Sequence, residues 1–311
     1  MAFAQDKVSR EHLIRVRKKI WHSRKLGLAF ISPWLLGFLI FTLYPMLASL
    51  YYSFTQYNIL KPPRWIGLGN YIELFTDDPL ILVAFYNTVY FMVFSIPLSI
   101  IMGLCLAILL NSKVKGLAVY RTIFYMPTIV PAVASSILWM WLLDPQIGII
   151  NSLLASIGIH GPGWLVNPAW SKPALIMMSL WSVGGDMVIY LAGLQGIPKE
   201  LYESADLDGA SALRKNWNIT LPMLSPVIFF NLIMGLIGTF QYFTQAYIMT
   251  SGGPMDSTLF YSLSLYNNAF RYYKMGYASA QAWVLFAIIF FATMIAYRTS
   301  GKWVFYGGSA K

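Results

Sequence analysis

The stretch ELYESADLDGASALRKNWNITLPMLSP, residues 200–226, is a polar island in an otherwise apolar chain. It holds four carboxylates and two cations, whereas the whole chain of 311 residues is 58% hydrophobic and 11% charged. Soluble domains usually carry about 25% charged residues. The island therefore separates apolar segments, and the length of those segments decides the fold class.

Long runs without a charged residue lie on both sides of the island. The charge-free runs are 26–60, 81–110, 122–143, 216–255 and 275–297. A sixth run, 173–198, holds a single charge, Asp186. A helix of about 20 apolar residues is enough to cross a hydrocarbon core of roughly 30 Å. We therefore predict an all-α membrane protein with six transmembrane helices, near 27–53, 82–110, 119–143, 173–196, 224–249 and 276–298.

The predicted domain organisation follows from these runs. Residues 1–25 form a basic N-terminal segment, 26–299 the transmembrane domain and 300–311 a C-terminal tail. The apolar run that starts at Leu26 is longer than the roughly 7–15 residues of a cleaved signal peptide. We therefore expect it to stay as a membrane anchor.

The distribution of cations predicts the orientation in the membrane. With six spans, 17 of the 22 Lys and Arg residues fall on the side of both termini, and five fall on the opposite side. Loops rich in Lys and Arg stay in the cytoplasm. Both termini and the loop 198–222 are therefore predicted to be cytoplasmic, in a bacterial-type plasma membrane. The net charge of +10 has the same origin, so it indicates contact with anionic lipid rather than nucleic acid.

The sequence offers no catalytic, metal or cofactor site. Cys105 is the single cysteine, and the three histidines (His12, His22 and His160) are scattered along the chain. The chain contains no GxxxxGK[ST] loop to cradle nucleotide phosphates. We therefore expect the energy for any transport to come from a gradient or from another subunit.

The polar island itself predicts two short helices joined at a glycine. Pro198 and the acidic residues after it suit a helix start. Asp208-Gly209 is a turn signal, because glycine tolerates the left-handed conformation that ends a helix. A second amphipathic segment, ASALRKNWN, follows. The residues alone leave two interpretations open: a docking surface for another protein, or a helix pair that rests on lipid.

The island resembles the EAA loop of the membrane subunits of binding-protein-dependent ABC importers. That pattern has Glu-Ala-Ala, a glycine four positions later, and Ile-x-Leu-Pro ten positions further on. The matching residues here are Glu203-Ser204-Ala205, Gly209 and Ile219-Thr220-Leu221-Pro222. Ser204 replaces the first alanine, and Asp208-Gly209-Ala210 matches the DGA common in the sugar branch. The resemblance extends to the stretches SPWLLGFLIFTLYP (32–45), GLGNYIELF (67–75), YRTIFYMPTIVP (120–131) and SGGP (251–254), which look like those of maltose, glycerol-phosphate and lactose-type permeases.

The resemblance implies a type I importer permease fold and a set of partners. These are a second homologous permease, two cytoplasmic ATPase subunits that bind ATP and Mg, an extracytoplasmic solute-binding protein, and a sugar or oligosaccharide. Glu203 would make an ionic contact with the ATPase, and Gly209 would form the turn between two coupling helices. The chain itself would hydrolyse nothing.

Polar residues inside the predicted spans are candidates for the solute pathway, because burying them in a membrane is costly. Asp186, with Ser182 in the same WSVGGDMVIY stretch, follows a possible helix break at Gly184-Gly185. The fifth span adds the candidates Thr239, Gln241, Tyr242 and Gln245. The last three lie at i to i+4, so they could address one side of a helix. Helix–helix contacts through these polar groups are the alternative interpretation.

A second class of function stays open at this point: a gradient-driven transporter or channel that works without an ATPase. Such proteins usually show internal repeats or buried charge pairs. The predicted spans contain no Lys or Arg that could pair with Asp186, except for cations close to the ends of the spans. The sequence therefore favours the importer.

Overall fold

The computed structural model describes residues 25–112 and 115–305. The predicted basic segment 1–25, apart from its last residue, and the end of the predicted tail 300–311 lie outside these residues. The described chain is mostly helical. Its helices are α1 (Lys25–Ser53), α2 (Gly69–Ile72), α3 (Pro79–Leu110), α4 (Leu117–Ile129), α5 (Ala132–Leu142), α6 (Ile149–Ser156), α7 (Pro168–Trp181), α8 (Gly184–Gln195), α9 (Lys199–Leu207), α10 (Ala212–Lys215), α11 (Leu221–Phe240), α12 (Thr244–Met249), α13 (Tyr261–Tyr266) and α14 (Met275–Ser300).

Four helical stretches are individually long and apolar enough to cross a membrane: α1, α3, α14 and the stretch from α10 to α12 (Ala212–Met249). Two bent pairs, α4 with α5 and α7 with α8, bring the number to six if each pair is one span. This count agrees with the six apolar segments expected from the sequence.

The bend within the predicted span 119–143 was not expected from the sequence, whereas the bend within 173–196 lies next to the possible break expected at Gly184-Gly185. The angle between α4 and α5 is 100°, and the angle between α7 and α8 is 47°. The first bend lies at Val130, whose extended backbone (φ −69°, ψ 126°) is the conformation favoured before a proline, here Pro131. The second lies at Ser182–Val183, before two glycines. The two bends lie close together, because the Thr128 hydroxyl beside the first donates to the Ser182 carbonyl at the second, at 3.2 Å.

Helix α3 is the centre of the bundle, because it packs against α7, α8, α11 and α13. Helix α1 packs against α14 and leaves most of its apolar side chains exposed, among them Phe30 and Phe41. A cluster of buried residues from α3, α8 and α11, including Leu104, Tyr190 and Leu224, holds one end of the bundle together.

The two ends of the bundle have different structures. One end carries the EAA loop (198–222) together with residues 301–305, where the Phe305 N–H donates to Ser225 Oγ at 2.7 Å. The opposite end carries α2 and a two-stranded antiparallel hairpin, β1 (Thr55–Gln56) and β2 (Arg64–Trp65). The alternation of the spans places these two ends on opposite sides of the bundle.

Candidate functional site

A cavity of about 500 Å³ lies in the middle of the bundle. Its walls come from α3, α4, α5, α7, α8, α11 and α12, so every spanning segment except α1 and α14 contributes to it. We call it the central cavity. The polar residues that line it are Ser95, Ser99, Thr128, Ser135, Ser179, Ser182, Asp186, Asn231, Thr239, Tyr242 and Gln245.

Among residues 25–112 and 115–305, Asp186 is the only charged side chain that lines the central cavity. Ser99 Oγ on α3 donates a hydrogen bond of 2.6 Å to Asp186 Oδ2 on α8. One carboxylate oxygen therefore has a fixed partner, and the carboxylate keeps further acceptor capacity for a ligand. Gly103 allows α3 to approach α8 closely, because a Cβ at this position would lie 3.3 Å from Asp186 Cβ and 3.1 Å from Tyr190 Cε2.

The cavity offers both donors and acceptors to a ligand. The hydroxyls of Ser135, Ser179 and Ser182 donate to backbone carbonyls of their own helical segments, which leaves their oxygens free to accept. The hydroxyls of Ser95 and Tyr242 are buried and have no hydrogen-bond partner. Buried polar atoms are nearly always paired, so an unpaired one calls for an explanation. Ser95 and Tyr242 both line the central cavity, but their hydroxyl oxygens are covered by protein, so a ligand or water reaches them only after a neighbouring side chain moves.

Aromatic rings supply the apolar part of the lining. Phe91 stacks on Tyr242 with ring centroids 4.3 Å apart, and Trp181 lines the same cavity. A sugar presents C–H faces together with hydroxyl groups, so it can use a flat ring and a set of hydrogen-bonding groups at once. The lining therefore suits a hydroxyl-rich solute.

Two adjacent glycines on α8 position the wall next to α4. A Cβ at Gly184 would overlap the Phe124 carbonyl oxygen and lie 2.9 Å from Tyr125 Cα, both backbone atoms. A Cβ at Gly185 would meet only the side chain of Thr128, at 3.3 Å. The glycine pair was expected to break a helix, and the structure shows that Gly184 also allows α4 and α8 to touch.

We expect G184A to destabilise the purified protein strongly and G185A to destabilise it little. Overpacking against backbone costs about 1–3 kcal/mol, and each kcal/mol lowers the melting temperature of a domain this size by a few degrees. Thermal unfolding in detergent, followed by fluorescence-detected gel filtration, should show a loss of about 5 °C or more for G184A. Equal melting temperatures for the two variants would contradict the close approach of α4 and α8.

Five of the six residues predicted for the solute pathway line the central cavity: Ser182, Asp186, Thr239, Tyr242 and Gln245. Gln241 does not. Helix α11 ends at Phe240, and Gln241 faces a groove beside α14 with Leu285 and Phe286. The expected i to i+4 arrangement of Gln241, Tyr242 and Gln245 is therefore wrong, because no helix runs through Gln241–Phe243.

Several cavity residues were missed by the sequence analysis. Ser95 and Ser99 lie in the charge-free run of α3, and Thr128 and Ser135 flank the bend between α4 and α5. Their only sequence signal is a hydroxyl inside an apolar run. That signal is weak, because serine and threonine in helices commonly bond to the backbone of the preceding turn.

The EAA loop has the two-helix form expected from the sequence. Gly209 follows α9 with φ +69°, a left-handed conformation that favours glycine, and the Ala210 N–H closes the turn on the Ala205 carbonyl at 2.9 Å. Ser211 caps α10, since its hydroxyl accepts from the Arg214 N–H. The second helix does not end there, because a π-helical turn, Asn216–Thr220, continues it into α11.

The two helices of the EAA loop are tied to each other and to the bundle. Lys215 Nζ and Asp206 Oδ1 form an ion pair of 2.6 Å, and the hydroxyls of Tyr202 and Thr220 are 2.9 Å apart. Tyr202 also packs against the buried cluster of α3, α8 and α11. A displacement of the loop would therefore be passed to α8, the helix that carries Asp186.

The predicted contact residues of the loop divide into exposed and partly buried groups. Exposed are Glu203, Ser204, Asp208, Gly209 and Pro222, and partly buried are Ala205, Ala210, Ile219 and Leu221. Large apolar side chains near them also face outward: Leu207 is 91% exposed and Leu213 is 69% exposed. The loop thus presents acidic and apolar groups together.

Neither part of this site has the composition of a metal centre. Among residues 25–112 and 115–305, no group of three or more His, Cys, Asp or Glu could hold a metal ion.

Comparison with known proteins places these features in a family. The model of the binding-protein-dependent transport system inner membrane component family matches residues 95–305. The chain is 45% identical over 284 residues to the probable ABC transporter permease protein YesP of Bacillus subtilis, covering 90% of this chain and 92% of that protein. It is 37% identical over 272 residues to the lactose transport system permease protein LacF of Rhizobium radiobacter, covering 85% and 90%.

A solved structure has the same fold. A chain of a bacterial alginate ABC transporter, determined in complex with an alginate pentasaccharide-bound periplasmic protein, superposes with a TM-score of 0.80 at 27% identity. The match covers 92% of this chain and 99% of that one.

Proposed function

This chain belongs to the family of inner membrane components of binding-protein-dependent transport systems, and from that premise we propose that it is a permease subunit of an ATP-driven sugar importer. It forms half of the translocation pathway for a sugar or oligosaccharide that an extracytoplasmic solute-binding protein delivers. ATP hydrolysis takes place in separate subunits, which bind ATP and Mg and couple to this chain through the EAA loop.

The central cavity is the observation that carries the proposal for the solute. Its volume of about 500 Å³ lies within the roughly 300–1,000 Å³ typical of small-molecule sites. Its lining combines hydroxyls, amides and aromatic rings with a single charge, Asp186. The relative LacF is a lactose transport permease, which supports a sugar as the solute.

The form of the EAA loop supports the proposed ATPase contact. It lies at one end of the bundle, where it exposes Glu203 beside the apolar side chains Leu207 and Leu213. A mixture of apolar anchors and a charged group is typical of a protein interface. The cation distribution supports a cytoplasmic location for this end, where ATP is available.

Two further partners fit the opposite end and the flank of the bundle. The hairpin and the 250–274 segment lie at the end proposed to face outward, where a solute-binding protein docks. The alginate transporter was solved together with a periplasmic protein, which supports such a partner. The exposed apolar face of α1 is available to a second permease of the same fold as well as to lipid.

Co-purification tests the proposed assembly. A tagged chain, extracted in mild detergent from the membrane of its own cell, should bring down an ATPase and a second permease in a stoichiometry of two ATPases to two permeases. Native mass spectrometry gives that stoichiometry directly. Recovery of this chain alone, under conditions in which a known importer stays intact, would contradict the proposal.

A further inference from the structure

A second cavity lies at the end of the bundle opposite the EAA loop. It has a volume of about 710 Å³ and shares no lining residue with the central cavity. Three segments form it: the hairpin β1–β2 with its connecting loop, α2, and the chain just before and within the first turn of α14. We call it the hairpin cavity. Its lining residues are Gln56, Tyr57, Asn58, Lys61, Pro62, Arg64, Asn70, Glu73, Tyr272, Tyr273, Lys274 and Tyr277.

The hairpin cavity carries a net positive charge, because its lining holds Lys61, Arg64 and Lys274 against Glu73, while Asp78 accepts a hydrogen bond of 2.6 Å from the hydroxyl of the lining residue Tyr277. Lys274 Nζ is neutralised by Glu73 Oε1 at 2.9 Å. Within residues 25–112 and 115–305, no ion pair involves Lys61 or Arg64, and both side chains are exposed. Two uncompensated cations that line one concave site raise the local concentration of anions. Arginine in particular presents a planar set of donors that fits a carboxylate.

Aromatic and amide groups accompany the cations. Four tyrosines line the cavity, of which Tyr272 and Tyr273 are more than half exposed. The Tyr57 ring stacks on the Tyr52 ring, with the ring centroids 4.7 Å apart. Exposed rings offer flat faces for the C–H groups of a sugar, and their hydroxyls, with the nearby amides, offer hydrogen bonds.

The walls of the hairpin cavity are held in place by contacts between distant segments. Asn70 Nδ2 donates to the backbone carbonyls of Ser53 and Thr55 at 2.8 and 2.9 Å, and the Gly276 N–H donates to the Tyr57 carbonyl at 3.0 Å. A Cβ at Gly276 would collide with the Thr55 carbonyl oxygen, so only glycine allows this approach. The cavity is therefore pre-formed, which reduces the entropy cost of binding.

Two residues beside the cavity have a strained backbone. Ile59, in the hairpin loop, has φ +66°, and Tyr273, in the lining, has φ +56°. Such values are rare outside glycine and rarest for β-branched residues. Strained residues concentrate at functional sites, where the surrounding structure holds them. Their presence on both sides of one polar cavity agrees with a binding role.

We propose that the hairpin cavity binds an acidic saccharide, with Lys61 and Arg64 on the carboxylate and the tyrosines on the ring. The choice of a saccharide rests on the proposed function, and the acidic class rests on the two unpaired cations. The central cavity holds a carboxylate and no cation. The hairpin cavity thus supplies the cationic contacts that the central cavity lacks.

The test uses the assembled importer in nanodiscs of zwitterionic lipid, without ATP and without the solute-binding protein. Digalacturonate is the probe, and neutral α-1,4-galactobiose is its uncharged counterpart. Isothermal titration should detect digalacturonate, and the double variant K61Q/R64Q should weaken it at least tenfold. Both side chains are exposed and make no ion pair with a described residue, so we expect their replacement to leave the fold intact. The matched control R298Q/K302Q removes two exposed cations from the opposite end of the bundle and should bind as wild type does.

Three results would overturn the proposal. One is equal digalacturonate affinity for wild type and K61Q/R64Q. Another is displacement of the bound probe when anionic phosphatidylglycerol replaces the zwitterionic lipid, which would identify the occupant as a lipid headgroup. The third is unchanged digalacturonate binding by K61Q/R64Q together with a loss of affinity for the solute-binding protein in a separate titration, which would make the surface a protein interface. Because no ATP or transport enters the assay, failure of the importer function itself would be seen separately.

Discussion

The variant E203A should lose ATP-driven sugar uptake while the protein still folds and reaches the membrane. Glu203 lies on α9 with its side chain exposed, and the resemblance to the EAA family assigns it an ionic contact with the ATPase. Removing one partner of an interfacial charge pair costs about 2–5 kcal/mol, which corresponds to a loss of at least roughly 30-fold in affinity. Uptake into vesicles and retention of the ATPase on a tagged permease measure the two consequences.

Glu200 provides a matched control on the same helix. It is also an exposed glutamate, one turn before Glu203, and it lies in the first turn of α9. E200A removes the same charge and a comparable side chain from the same surface, so it should leave uptake and ATPase retention within about threefold of wild type. Equal losses in E200A and E203A would show that general surface charge, not a specific contact, determines the coupling.

The variant D186N should reduce uptake about 10- to 100-fold without disrupting assembly. Asp186 is the only charge in the lining of the central cavity, and asparagine keeps its volume. A hydrogen bond to a charged group stabilises a complex by about 1.5–3 kcal/mol. D186N removes the charge from the hydrogen bond between the carboxylate and the solute, so binding of the solute weakens by an energy of this size. Initial uptake rates at saturating solute-binding protein measure the effect, and ATPase retention confirms that the complex is intact.

A structural role for Asp186 is distinguished from a role in solute binding by S99A. Ser99 donates the hydrogen bond of 2.6 Å that orients the carboxylate. If Asp186 serves mainly to hold α3 against α8, S99A and D186N should lower both uptake and thermal stability by similar amounts. If Asp186 binds the solute, S99A should retain uptake within about threefold, because the carboxylate remains.

The distribution of charged residues along the sequence was enough to predict the apolar segments and the polar loop between them. Charge-free runs of this length have few alternatives to a membrane span, since lipid cannot satisfy polar groups. The turn at Gly209 was equally predictable, because Asp208-Gly209 is a local signal and its φ of +69° depends on no distant contact. Local features of this kind are specified by a few neighbouring residues.

Helix breaks inside the apolar segments were the harder feature. Val130-Pro131 carries a local signal for the 100° bend, since a residue before proline avoids the helical conformation. The break after Phe240 has a weaker signal: the sequence GTFQYFTQAY contains no proline, and its one glycine, Gly238, lies three residues before Gln241. At that break, the Tyr242 ring packs against the rings of Phe91 and Phe260. The break turns the Gln241 side chain away from the central cavity.

The hairpin cavity could not have been predicted from the sequence. Lys61 and Arg64 come from one segment of the chain. The other two charged lining residues, Glu73 and Lys274, lie 201 positions apart in the sequence. In the sequence, Lys61, Arg64 and Lys274 are only scattered cations, on the side of the membrane predicted to hold five of the 22 Lys and Arg residues. The folded chain brings them together through α14 and the hairpin.

Uptake of labelled sugar into proteoliposomes tests the central claim most directly. The vesicles hold either this chain alone or the complete importer, with the solute-binding protein at the hairpin end and ATP at the end of the EAA loop. We predict uptake only with the complete importer, and only when ATP can be hydrolysed. Uptake by this chain alone in vesicles without ATP would contradict the account and would identify a gradient-driven transporter or a channel.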